Sequence, residues 1–186
     1  MRSLLVSLLV AGVALFSTAT MAQVNWLPEV RGGVMAHSVD EPGPDGALIN
    51  GTRIEDANVE LLFNSDLTNW APFGELRPHL GATVNFGGLE SMVYTGLSWT
   101  FQVPNTPLFV EGSLGGALHN GASHDAVAPA RNLGCPLLFR ESASVGWKVT
   151  ENASIMATVE HASHAYLCGE DNRGLTNLGV RFGYRF

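Results

Sequence analysis

The chain has 186 residues, with 17 acidic and 10 basic side chains and a formal net charge of −7. That length fits one domain, and without a basic patch there is no footprint for nucleic acid. Twenty-one glycines, nine phenylalanines and few lysines favour β-structure over helix.

The first residues read as a leader. Arg2 supplies a positive end, residues 4–16 are apolar, and Thr20-Met21-Ala22 offers small residues at the two positions a signal peptidase reads. Residues 1–22 are therefore expected to be a secretory signal peptide, and 23–186 the folded domain. The apolar stretch is short for a transmembrane helix, and no later window nears 18 consecutive apolar residues.

Beyond the leader, side chains alternate with period two in eight segments: 26–36, 54–63, 76–86, 91–101, 108–118, 137–147, 153–163 and 175–186. Each has roughly the 9–11 residues with which a tilted strand crosses a bilayer. Breakers separate them, including Pro42-Gly43-Pro44, Gly87-Gly88, Pro104-Asn105, Gly121 and Gly169. The last segment shows the pattern best. Leu178, Val180, Phe182, Tyr184 and Phe186 share one face, and Asn177, Gly179, Arg181, Gly183 and Arg185 the other.

In a soluble β-sandwich the apolar face would be the core; in a membrane barrel it meets lipid. Charges recur on the would-be interior face, at Glu29 and Arg31, Asp56 and Glu60, Arg77 and His79, and Arg181 and Arg185. Large aromatics stand near strand ends, at Trp26, Phe63, Trp99, Trp147 and Phe186, as girdle residues do. The expected fold is all-β: an eight-stranded antiparallel transmembrane β-barrel of the outer-membrane type. Its interior would be filled by side chains, which argues against a pore.

An even strand number places both ends of the barrel chain on the periplasmic side. The connections after the first, fifth and seventh segments should then be outer loops, and they are the long ones, at 37–53, 119–136 and 164–174; the one at Gly87-Gly88 is short. The two cysteines of an exported chain, Cys135 and Cys168, fall in neighbouring outer loops and are expected to form a disulfide.

The seventh segment places Ala153, Ile155, Ala157, Val159, His161 and Ser163 on one face. That face is apolar until its outer end, so it is the lipid face. Two interfacial polar residues are the plain reading. A histidine base beside a serine nucleophile, facing the outer leaflet, is the catalytic one.

His161-x-Ser163, then Asn172-x-Gly174, then the terminal LGVRFGYRF, with LFRESASVGW upstream, resemble the C-terminal signature of outer-membrane lipid A 3-O-deacylases of the PagL type. The resemblance is strongest over residues 134–186; over the first half it extends only to the strand pattern. It implies an eight-stranded barrel in the outer membrane that removes a primary acyl chain from the lipid A of lipopolysaccharide, with its site facing the membrane. It implies Ser163 as nucleophile and His161 as base, with no cofactor or metal. Two positions depart from the family. Its asparagine after the serine, an oxyanion-hole residue, is here His164, leaving His164 and Asn172 as the expected oxyanion support. Its glutamate two residues after the loop glycine is here Thr176. Glu141, on the outward face of the neighbouring segment, is the expected acid, with Glu170 and Asp171 as loop alternatives. The rival reading is a non-catalytic barrel, structural or adhesive, that has lost the acid. His79 is expected in an interior network. His119 and His124 are too few for a zinc site, and Asp40 to Asp45 and Asp125 are expected to be solvated, with divalent-cation binding beside lipid A phosphates as the alternative.

Overall fold

The structure, a computed structural model, describes residues 27–41, 50–170 and 173–186. The expected signal peptide, Trp26, Asp45, Asp171 and Asn172 lie outside the described residues. Eight strands follow one another: β1 (Glu29–Ala36), β2 (Ile54–Leu62), β3 (Glu75–Asn85), β4 (Met92–Gln102), β5 (Leu108–His119), β6 (Leu137–Lys148), β7 (Ala153–Ser163) and β8 (Leu175–Arg185). Each pairs antiparallel with the next, and β1 pairs with β8 to close a barrel. Apart from the start of β1, each end falls within one residue of the alternation read from the sequence, and β7 coincides with it.

Alternation sorts the side chains in the sense opposite to a soluble protein. On β8, Leu178, Val180, Phe182 and Tyr184 are 40–63% exposed, whereas Asn177 and Arg181 are 0% and 1% exposed. Glu29, Arg31, Asp56, Glu60, Arg77, His79, Glu111, Arg140 and Glu160 are likewise buried. They neutralise one another inside. Arg31 bonds Glu29, Glu60 and Glu111, Arg181 reaches Glu60 at 3.0 Å, and Arg140 reaches Glu160 at 2.8 Å. Arg140 also lies 3.7 Å from the centroid of the Tyr94 ring. His79 joins this interior through Ser98 Oγ at 3.0 Å, as expected. An apolar exterior around a charged, filled interior is a transmembrane barrel and excludes the sandwich.

Towards one end the interior turns apolar: Met92, Tyr94, Ala117, Leu133, Leu138, Ala162 and Leu175 pack together. This end carries the connections 37–53, 86–91, 120–136 and 164–174, and is the outer end by strand parity. The opposite end carries 63–74, 103–107 and 149–152. No element was expected within 63–74. A 3-10 turn, Asp66–Trp70, forms there, capped by the Ser65 hydroxyl, which accepts the Leu67 N–H at 3.1 Å. Five residues are too few to leave a periodicity in the sequence.

Candidate active site

The site starts from the pleat of β7. Met156, Thr158, Glu160 and Ala162 are buried inside the barrel, so His161 and Ser163 are turned outward with the exposed Ala157 and Val159. Register then builds a row across three strands. Glu141 of β6 stands opposite His161, and His161 stands opposite Thr176 of β8. Ser163 faces Phe139, which is 47% exposed and extends the lipid-facing surface beside it. No bulge displaces Glu141: β6 alternates strictly, and its carboxylate is outward and exposed.

Thr176 is the residue that takes hold of the imidazole, with its Oγ1 2.8 Å from His161 Nδ1. Among the described residues no hydrogen bond joins His161 to Glu141. When Nδ1–H donates to Thr176, Nε2 is a free base. A hydroxyl can also donate, which reverses the tautomer and puts the proton on Nε2. A carboxylate only accepts and so fixes the productive tautomer.

The chain entering β8 closes over the ring. Gly174 has φ +65°, and a Cβ there would lie 2.7 Å from His161 Cε1 and 3.1 Å from Nε2. Only glycine suits both the left-handed backbone and the contact. The Gly174 carbonyl accepts from Arg131 Nη1 at 2.8 Å. Arg131 is 3% exposed and also reaches the carboxylates of Asp40 at 3.0 Å and Glu41 at 3.5 Å. Asp40, expected to be solvated, is therefore tied to the loop that holds the site. The Val39 N–H donates to the Thr176 carbonyl at 2.8 Å, and Asn177 Oδ1 accepts the Ser38 N–H at 3.0 Å.

Deeper in the same mouth, His37 is fully buried between two carboxylates, with Nδ1 3.0 Å from Asp56 and Nε2 3.0 Å from Glu90. Burial opposes charge on His37, but the bonds to Asp56 and Glu90 outweigh it and raise its pKa to about 9. Glu90 also accepts the Arg131 N–H at 2.6 Å. His37 and Arg131 escaped the sequence reading. Their partners are brought together by barrel closure, and no spacing in the chain marks them.

The Cys135–Cys168 disulfide is present, joining the 120–136 and 164–174 connections. His164 follows Ser163 directly but is 1% exposed, and its Nδ1 accepts the Cys168 N–H at 3.2 Å. Cys135, His164 and Cys168 form a group close enough for a metal ion, but both sulfurs are committed to each other. His119 Nε2 bonds the Cys135 carbonyl at 2.7 Å, while Asp125, His124 and Glu170 are exposed in the loops.

A family model described as Lipid A 3-O-deacylase (PagL) matches residues 55–185. No curated protein matches the chain. Among solved structures, the outer membrane enzyme PagL superposes with a TM-score of 0.62 at 18% identity, covering 85% of this chain and 99% of that one. The N-terminal β-barrel domain of Pseudomonas aeruginosa OprF gives 0.52 at 11% identity, covering 87% and 99%. The two structures share the fold with this chain, and the family match covers most of its length, including the whole row from Glu141 to Thr176.

Proposed function

The chain belongs to the lipid A 3-O-deacylase family, an outer-membrane barrel by fold, and from this premise we propose that it hydrolyses an ester-linked acyl chain of lipid A in the outer leaflet through Ser163 and His161. The observation that carries the reading is the outward-facing His161–Ser163 pair at the outer end of β7, with Nδ1 held by Thr176 and Nε2 without a hydrogen-bond partner among the described residues. His161 Nε2 takes the Ser163 proton as Oγ attacks the acyl carbonyl. The tetrahedral intermediate collapses, the proton passes to the departing sugar oxygen, and an acyl-enzyme remains. Water, activated by the same nitrogen, releases the fatty acid. The lipid face lets the ester approach within the membrane plane.

Glu141 and Thr176 divide the work of a triad acid in this reading. Thr176 orients the ring. Glu141, at the same level on the other flank, offsets the imidazolium charge without bonding Nδ1. His164 and Asn172 are the candidates for oxyanion support. His164 orders the turn after Ser163 through the Cys168 amide.

A second reading, a barrel without catalysis, is favoured by one observation: a hydroxyl rather than a carboxylate at Nδ1. Purified protein incubated with lipid A decides between them. Release of 3-hydroxy fatty acid that Ser163→Ala and His161→Ala each lower by at least about 10³-fold, in variants that remain folded, supports catalysis. Intact lipid A after incubation with the unmodified protein supports the second reading.

A further inference from the structure

The outer loops are acidic, and the arginines at that end differ in what holds them and in how near they lie to β7. Arg131 is buried and ion-paired with Asp40 and Glu41. Arg140 is inside the barrel on Glu160. Arg53 precedes β2, and its Nε and Nη2 are buried without a hydrogen-bond partner among the described residues, but it is separated from β7 by β8 and β1. Arg173 is exposed, and among the described residues its guanidinium has no ion-pair or hydrogen-bond partner. Its backbone, by contrast, is pinned on both sides. The Arg173 N–H donates to the Asn132 carbonyl at 3.3 Å, and its carbonyl accepts from Arg131 Nη1 at 3.2 Å.

That fixed backbone sits beside the reacting groups. Ala162 pairs with Leu175, so Gly174 and Arg173 continue past β8 alongside Ser163. The contact of Gly174 with the His161 ring and the Ala162 carbonyl keeps the chain close there. That contact and the spacing of consecutive Cα atoms keep the Arg173 Cα within roughly 10 Å of Ser163. An exposed cation whose backbone is pinned, near the nucleophile and amid acidic loops, is suited to an anionic group carried by the substrate.

We propose that Arg173 is a substrate-binding residue that takes a phosphate on the glucosamine headgroup of lipid A. This rests on the deacylase reading above. In that reading the ester attacked is on carbon 3 of the sugar. A phosphate on carbon 1 of the same sugar lies two ring bonds away, within the span between Ser163 and the Arg173 side chain. The planar guanidinium can hold two phosphate oxygens at once, which also fixes the orientation of the sugar. Neighbouring carboxylates such as the exposed Glu170 repel anions that approach elsewhere.

The test compares lipid A carrying the carbon-1 phosphate with the same lipid A lacking it. On the phosphorylated lipid, Arg173→Ala should raise KM roughly ten- to hundredfold with kcat little changed, and Arg173→Lys should recover part of the loss. On the dephosphorylated lipid, the unmodified protein and Arg173→Ala should behave alike. Equal KM on the phosphorylated lipid, or an equal loss on both lipids, overturns the proposal. Binding to the folded Ser163→Ala protein, with and without Arg173→Ala, reads the same contact independently of turnover. An absence of hydrolysis by the unmodified protein would count against the deacylase reading alone. A binding preference for the phosphorylated lipid that vanishes with Arg173→Ala would still support the contact, and no such preference would remove it.

Discussion

His161 is held at Nδ1 by a hydroxyl that can either donate or accept the hydrogen bond, and this sets the chemistry expected of it. With Thr176 as partner, only part of the population has Nε2 free as a base, and the imidazolium gains no charge pairing at Nδ1. Thr176→Glu should raise kcat, by up to the roughly 10⁴-fold that an orienting carboxylate contributes in serine hydrolases. Thr176→Val should lower it. Glu141→Gln should cost about tenfold if its charge acts through space, because an exposed carboxylate is partly screened. Steady-state rates of fatty acid release read all three, and no change in any of them removes the row as a functional unit. Gly174→Ala should lower kcat and leave the barrel folded, since its methyl would overlap the His161 ring edge. Period-two alternation was enough to place His161, Ser163 and Glu141 on one outward surface, because a strand offers only two faces. It could not choose the partner of Nδ1. That choice depends on the β7–β8 register and on the turn at Gly174, so the sequence pointed to Glu141, with Glu170 and Asp171 as alternatives, and marked Thr176 only as a departure from the family.

The outer connections act on the site as ties between elements. The disulfide joins the loops before β6 and after β7, 33 residues apart, and is worth at most about 3–4 kcal/mol by loop closure. Replacing Cys135 and Cys168 by serine should therefore loosen the 164–174 connection and lower activity while the barrel stays assembled. Protease accessibility of the loop, set beside the heat-induced mobility shift, separates the two effects. The His37 tie adds a pH dependence. Its pKa is raised from an unfolded value near 6.5 to about 9, so its contribution is complete below about 6.5 and is lost as pH rises through about 9. Glu90 opposes this in sign. Burial would raise its pKa, but the His37 and Arg131 bonds hold it below the usual carboxylate value, so its share is lost on acidification. Loop proteolysis should thus accelerate above about pH 9, and His37→Gln should remove that step. An unchanged pH profile in His37→Gln would assign the step to another group. Of these ties only the disulfide was visible in the sequence. Cysteine number suggested the disulfide, but His37, Asp56, Glu90 and Arg131 are spread over four parts of the chain and meet only when the barrel closes.

For the whole molecule, the same alternation that located the site also turned the protein inside out, with valine, leucine and aromatic side chains outward and arginine–glutamate pairs within. That is why the barrel was legible from composition and period alone: a two-residue repeat, eight crossings and charges on the inward face have few other solutions. The interior pairs make a stability prediction. Arg140→Met leaves Glu160 buried without its partner and should cost about 3–5 kcal/mol, read from the urea midpoint of refolding into micelles. A shift within error would mean that Asn177 and Thr83, which also bond Glu160, suffice. The central claim is that this barrel removes an acyl chain from lipid A through Ser163. Mass spectrometry of lipid A from cells expressing the protein or its Ser163→Ala variant tests it most directly. Lipid A should be lighter by one 3-hydroxyacyl chain with the unmodified protein and fully acylated with the variant. Identical lipid A in the two, with both barrels folded in the outer membrane, would contradict it.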